Sequence, residues 1–284
     1  MRRNKSNMKN KPLISVVMAT FNEPSDMIKK SIGSILNQTY INLELLIFDD
    51  STNVDTKAAI DEFASDSRIA VNRFSEKKRF VPSLNMGLEQ ARGKYIVRMD
   101  GDDISLPDRL EKEVEYLETH PQISVVGGQI DIIDEKGETI SHRAYPTGGL
   151  KLWLFSCLRN PLAHPTIVMR RELIDKGYRY NEKLEMSEDL DLWLRLMNDG
   201  YKIANLNDTI LKYRIQANFN NKRTDAKQRN YTAKVRKSNF SKKHLLHGIL
   251  STFSGWLFAH VSAKSISKIY DKENQNKKIS AGRN

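Results

Sequence analysis

Among its 284 residues the chain has a single cysteine, Cys157. One cysteine excludes an internal disulfide and any zinc site built on cysteines. Cys157 itself reads as a small buried apolar residue. The start, MRRNKSNMKNKPLISVVMATF, superficially resembles a secretory signal, but its apolar part is short and runs into NEPSD rather than a small-residue cleavage site. That stretch reads as a first strand behind a basic tail, residues 1–11. No internal repeat is visible, and no glycine-rich, basic phosphate loop follows the first strand, which counts against a sugar-phosphate nucleotidyltransferase. Acid is scarce at one end. From Lys212 onward, 17 Lys and Arg stand against 3 Asp and Glu, whereas the preceding residues hold 29 against 32. The body is slightly acidic and the tail strongly basic, which counts against a nucleic-acid-binding core and leaves the charge as an appendage.

Hydrophobic content of 39% and charged content of 29% are those of a globular protein, of a length that suits one large domain or two small ones. In the first half, short β-branched runs alternate with helical patterns. LISVVMATF, LELLIFDD, RIAVNRF and KYIVRMD read as buried strands. PSDMIKKSIGSILNQ places Met27, Ile28, Ile32, Ile35 and Leu36 on one helical face, with Ser25 or Asp26 as its cap. Helices near Thr56–Ala64 and over VPSLNMGLEQARG complete the alternation, which predicts a parallel α/β sheet. PDRLEKEVEYLETH is a further helix. ISVVGGQIDIIDEKGE reads as two strand segments and a turn, KLWLFSCLRN as a helix, PTIVMR as a strand, and YKIAN and TILKYRI as two strands. SEDLDLWLRLMNDG is a helix capped by Ser187 and stopped by Gly200. QANFNNKRTDAKQRN reads as a linker or loop.

In an open α/β sheet, ligands sit at the carboxyl ends of the strands. LIFDD and IVRMDGDD both end in aspartates there. Asp100, Asp102 and Asp103 would repel one another unless a hard divalent cation, Mg²⁺ or Mn²⁺, lies among them; the bland alternative is a solvated acidic turn. Asp49 and Asp50 either accept hydrogen bonds from a base or ribose or simply close a strand. Glu188 and Asp189 open a helix, where the dipole favours acid in any case; the functional reading is a general base. His164, between prolines in NPLAHPT, is either structural or a substrate contact.

Taken in order, VVMATFNEP, SILNQTY, ELLIFDDST, GKYIVRMDGDDISLPDRL, NPLAHPT and SEDLDLWLRLMNDGYKIAN resemble the family 2 inverting glycosyltransferases, over residues 12 to 215. The resemblance implies a GT-A fold: Rossmann-like, with a mostly parallel central sheet and flanking helices. It also implies a nucleotide-sugar donor, typically UDP-linked, with Mn²⁺ or Mg²⁺ as cofactor. Carried over by position, Thr20, Phe21 and Glu23 lie in the first nucleotide loop and Asp50 meets the base. Asp100 and Asp102 match the DxD motif, Asp102 as the direct metal ligand and Asp100, with Gly101, near the ribose and the metal. Asp189 matches the catalytic base of the "ED" pair, with His164, Glu188 and Trp193 toward the acceptor. The third-strand loop departs from the family pattern: it carries Lys77, Lys78 and Arg79 where a glycine-containing segment is usual, and these, Arg79 first, are either diphosphate contacts or part of a solvated loop. The QxxRW motif of processive synthases is absent, which favours addition of a single hexose or N-acetylhexosamine, as in O-antigen, capsule or exopolysaccharide assembly.

Residues 216–284 read as a basic linker and amphipathic helical tail. HLLHGILSTFSGWLFAHVSA carries no formal charge and places Leu245, Leu246, Ile249, Leu250, Phe253, Trp256, Leu257 and Val261 on one face. Lys234, Arg236, Lys237, Lys242 and Lys243 precede it; Lys264, Lys268 and Lys272 follow. The stretch could span a bilayer or be a packed or oligomerising helix, but its pattern fits one lying on a membrane surface through residues 234–272. A cytoplasmic enzyme held on the inner face of the cytoplasmic membrane, with a polyprenyl-diphosphate-linked saccharide as acceptor, would use such a tail. A non-enzymatic binding module would use the tail alone and leave the aspartates unexplained.

Overall fold

The computed structural model describes residues 11–74, 76, 78–215 and 226–260. Lys77, Val261, Lys264, Lys268 and Lys272, and residues 1–10, lie outside them. Strands β1 (Ile14–Thr20), β2 (Leu43–Asp49), β3 (Ile69–Arg73) and β4 (Tyr95–Asp100) form a parallel array in the order β3-β2-β1-β4. Between them lie α1 (Ser25–Leu36), α2 (Val54–Asp61) and α3 (Phe80–Gln90). Every residue of β1 and β2 is buried, because helices cover both faces. Ile14, Val16 and Met18 point to the face where α1 buries Ile28, Ile32 and Ile35. Val17 and Ala19 point to the other, where α3 buries Leu84 and Leu88. This alternation, with both sets apolar, is what a strand buried on two faces requires.

The sheet continues as a mixed one. β5 (Ile104–Ser105), α4 (Arg109–Thr119), β6 (Ile123–Ile133), β7 (Thr139–Arg143) and α5 (Gly149–Leu158) follow β4. A 3₁₀ turn (His164–Thr166), β8 (Val168–Arg170), α6 (Arg171–Asp175), α7 (Glu188–Asn198) and β9 (Lys202–Arg214) complete it. The full order is β3-β2-β1-β4-β8-β6-β9-β5, with β7 paired to β6. β8 runs antiparallel to both β4 and β6, and β6 and β9 pair in parallel.

Several local expectations are corrected. ISVVGGQIDII is one continuous strand of 11 residues, and YKIAN and TILKYRI are parts of one strand of 13, the two pairing through register shifts around Gly127 and Gln129. Pro24, not Ser25 or Asp26, takes the N-cap position of α1; Ser25 Oγ instead donates to Asp55 O at 3.1 Å. Ser187 holds the N-cap position of α7 in a left-handed conformation, but its hydroxyl turns to Thr232 rather than to the helix. The last third of the expected linker, 226–230, opens α8 (Ala226–Ser238), which packs on α7, while 216–225 lie outside the described residues; α9 (Leu245–His260) packs on α5 and α8.

Candidate functional site

The carboxyl ends of β1, β2 and β4 open into a cleft of about 360 Å³ lined by Thr20, Phe21, Glu23, Asp50, Arg79, Phe80 and Asp100, among others. The paired aspartates after β2 divide their work. Asp49 is buried, ion-paired to Arg73 at 2.8 Å, and accepts from Thr20 Oγ1 and Ser51 N; it is structural. Asp50 faces the cleft, where its carboxylate accepts the backbone N–H of Arg79 at 2.7 Å and of Lys78 at 3.0 Å. Arg79 stands at φ +75°, a left-handed conformation an arginine adopts at a cost. Asp50 thus fixes the loop that carries Lys78 and Arg79.

The aspartates after β4 do come together. Asp100, Asp102 and Asp103 offer carboxylate oxygens all within 4.8 Å of one another. Arg98 forks Asp100: its Nη1 donates to Oδ2 at 2.5 Å and its Nη2 pairs with Oδ1. Burial and the neighbouring Asp100 push the Asp102 carboxyl up to about 6. Asp103 is fully buried; one oxygen accepts Arg214 N at 2.7 Å and the other has no hydrogen-bond partner. Burial and both neighbouring aspartates hold its carboxyl well above the usual range. Glu23 sits across Gly101, where a Cβ would lie 3.0 Å from Ile28 and 3.1 Å from the Glu23 carboxyl carbon. Burial, then Asp102 and Asp100, push Glu23 up to about 7. Crowded acids, raised affinities for protons and an orphaned buried oxygen are all relieved by a hard divalent ion, so the residues fit one.

A second acidic pair lies at the start of α7. Asn160 Nδ2 donates to Asp189 Oδ2, and Leu190 N to Oδ1 at 2.7 Å. Burial raises the Asp189 carboxyl, and these two donors partly offset it. Burial and the Asp189 charge push Glu188 up to about 7. His164 Nδ1 stands 3.8 Å from Glu188 Oε1, and its Nε2 lies 2.8 Å from the Tyr180 hydroxyl. Burial and the Arg98 charge keep His164 neutral. Trp193, expected beside an acceptor, has no exposed surface: it lies in the core behind His164, ring centroids 6.3 Å apart.

Arg98 and Asn160 join the two groups and were not anticipated from sequence. Arg98 is buried, lies 5.4 Å from the Phe80 ring and forks Asp100. Its charge also reaches His164, Glu188 and Asp189. Phe80, a wall of the cleft, meets His164 edge-on at 6.3 Å. The cleft and the α7 acids are therefore two walls of one site. An arginine inside an apolar strand run, KYIVRMD, was the available signal, since a buried charge needs a partner.

Residues 15–178 match the family described as "Glycosyl transferase family 2". The O-antigen biosynthesis glycosyltransferase WbnJ of Escherichia coli is 34% identical over 207 residues, covering 72% of this chain and 80% of the relative. Among solved structures, S. aureus TarS in complex with UDP-GlcNAc superposes with a TM-score of 0.64 at 17% identity, over 84% of this chain and 70% of that one. The mannosyltransferase PcManGT from Pyrobaculum calidifontis, in complex with GDP-Man and Mn²⁺, gives 0.63 at 16% identity over 93% and 81%. At such identities the two likenesses speak for the fold, which is GT-A.

Proposed function

The chain belongs to glycosyl transferase family 2, and we propose that it is a metal-dependent, inverting hexosyltransferase acting in cell-surface polysaccharide synthesis. It moves one hexose or N-acetylhexosamine from a nucleotide sugar, UDP-linked, to a lipid-linked saccharide at the cytoplasmic membrane surface. Family membership sets aside the nucleotidyltransferase and the non-enzymatic readings. The observation that carries the proposal is the pairing of two acidic groups on opposite walls of one site, Asp100–Asp102 at the end of β4 and Asp189 at the start of α7, joined through Arg98 and the Phe80–His164 contact.

Asp50 and the Thr20–Glu23 loop receive the nucleotide, Asp50 at the base. Asp102, with Asp100, would hold Mn²⁺ or Mg²⁺, which when bound neutralises the charge that develops on the departing diphosphate. Arg98 fixes Asp100 in one rotamer. Arg79, at the mouth of the cleft, supplies a further positive charge toward the diphosphate. An acceptor hydroxyl has a pKa far above neutrality, so Asp189 takes its proton as the oxygen attacks the anomeric carbon. The bond to the nucleotide diphosphate breaks on the far side and the configuration inverts in one displacement. Asn160 aims Asp189 and favours its charged form against the upward push of burial, and neutral His164 backs Glu188 without competing for the proton.

Support for UDP comes from Asp50 and from the UDP-GlcNAc that TarS binds; PcManGT, with GDP-Man, makes guanine the nucleotide to test against it. The experiment is nucleotide release from UDP-, GDP- and dTDP-sugars with Mn²⁺ or Mg²⁺, wild type against Asp102→Asn. Metal-dependent release from one UDP-sugar, lost at least about a hundredfold in the variant, is expected. Absence of both turnover and metal-dependent nucleotide binding would overturn the proposal.

A further inference from the structure

Helix α9 packs inside out. The face it turns to the protein is His247, Gly248, Ser251, Ser254 and Gly255, all buried. That face is built for close approach. Ser254 Oγ donates to Cys157 O, and His247 Nε2 lies 2.8 Å from Ser156 Oγ, both on α5. Arg236 of α8, buried, donates to Ser251 Oγ at 2.9 Å and to Ser156 O at 2.7 Å. A Cβ at Gly255 would lie 3.0 Å from Arg236 and 3.2 Å from Ala233 Cα. Arg236, expected in the basic flank, is thus an internal pin. The apolar stripe is left outside: Leu246, Ile249, Phe253 and Trp256 are 63%, 51%, 58% and 55% exposed. The neighbouring helix α5 does the same with Leu150, Leu154 and Leu158, spaced one turn apart and also exposed.

Two helices in contact therefore each leave an apolar stripe exposed, of the kind that marks an interaction surface. Neither helix lies in a sequence segment that carries acid. No Asp or Glu occurs between Glu138 and Glu172 or between Asp225 and Asp271, while Lys151, Lys242 and Lys243 are exposed at the ends of the two stripes. A second copy of the chain docked symmetrically would set these lysines against themselves. An anionic bilayer would neutralise them and accept the leucines, with Trp256 at the headgroup level. Among the described residues no helix is long and apolar enough to cross a membrane, which leaves α9 in the plane of the surface.

We infer that α5 and α9 together form a platform that docks on an anionic phospholipid bilayer. The platform is coupled to the catalytic wall. Leu158 stands two residues before Asn160, which donates to Asp189, and Thr232 of α8 lies 3.0 Å from Ser187, the residue before Glu188. Docking would therefore hold the general base beside the membrane surface; only this consequence rests on the glycosyltransferase proposal, and docking itself rests on the exposed faces.

The test is co-sedimentation of the full chain with vesicles of phosphatidylcholine alone and of phosphatidylcholine rich in phosphatidylglycerol. Wild type should bind the anionic vesicles and not the neutral ones. Leu154→Glu with Phe253→Glu should lower that binding at least about tenfold, with unchanged Tm and unchanged nucleotide binding. Lys242→Glu with Lys243→Glu should weaken it and flatten its salt dependence. Binding that survives the leucine–phenylalanine double variant, or no binding to either vesicle, overturns the inference. So does a dimer in light scattering that Phe253→Glu dissociates, which would assign the face to a second copy. Nucleotide release by Asp102→Asn is read independently, so failure of docking and failure of the catalytic proposal are distinguishable.

Discussion

Helices α1 and α9 both carry an apolar stripe, and they turn it in opposite directions. In α1 the stripe of Ile28, Ile32 and Ile35 is fully buried against the sheet, and Lys29 and Lys30 look outward. In α9 the stripe looks outward, and glycine, serine and histidine make the contact. Periodicity locates a helix face but not what covers it. What separates the two cases is the opposite face. That of α1 carries charge and cannot be buried cheaply. That of α9 carries small residues and hydroxyls that find partners on α5 and α8. The strands and helices from Ile14 to Arg214, α5 apart, turn their apolar faces inward around the candidate site; α5 and α9 leave theirs exposed.

The sharpest separation comes from function. Asp189→Asn keeps the shape of the base and removes its charge, so kcat should fall about 10² to 10⁴-fold while vesicle binding stays unchanged. Paired kinetic and sedimentation assays on that variant check both halves; loss of docking along with activity would merge the two regions into one. Next is stability. Ile32→Ala should cost about 2 to 5 kcal/mol, because it opens a cavity in the core, whereas Phe253→Ala should stay within about 0.5 kcal/mol. Urea denaturation of both variants measures the contrast. Equal costs would mean that the α9 stripe is covered after all.

Much of this was legible. The parallel half of the sheet announced itself through β1, β2 and β4, whose uninterrupted β-branched runs suit strands buried on both faces. The site aspartates were legible because charge at such strand ends needs a reason. The second half of the sheet was harder. Gly127 and Gly128 look like a break, yet they mark close approach: Cβ atoms there would lie 2.9 Å from Asn205 and 2.6 Å from Ile210. The polar NLND inside β9 looks like a turn and is instead a strand segment with shifted register. Helix α8 lacks an apolar period, and Val235 is its one buried apolar residue, so nothing local distinguished it from a linker. Asn160 acts through a contact made across 29 residues, which no short window along the chain contains; Arg98 pairs with Asp100 two residues on, but its reach to Phe80, His164 and the α7 acids runs across the fold.

Metal affinity gives a smaller effect with a definite sign. Burial and Asp100 push the Asp102 carboxyl up to about 6, so without metal it holds its proton to higher pH than a free aspartate. Proton and cation compete for it. Mn²⁺ affinity should therefore be level above pH 7 and weaken below pH 6, by about tenfold per unit for one competing proton. Titration calorimetry across that range checks it. The platform, which has no acid, should bind anionic vesicles with no such decline; a parallel fall in docking would erase the contrast between the regions.

The smallest effect tests the seam between them. Asn160 follows the last leucine of α5 by two residues and donates to Asp189. That bond favours the charged carboxylate and opposes the upward push of burial. Removing it in Asn160→Ala should raise the pKa of Asp189, which then reaches its ionised form only at higher pH. The acid limb of kcat should shift upward, while activity well above the limb falls less than about tenfold, since Leu190 N–H still orients the base. A lower plateau with an unmoved limb would show that Asn160 only shapes the chain leaving α5. A shifted limb on an otherwise intact plateau would show that one end of the platform tunes the base, and that the two regions meet at a single side-chain amide.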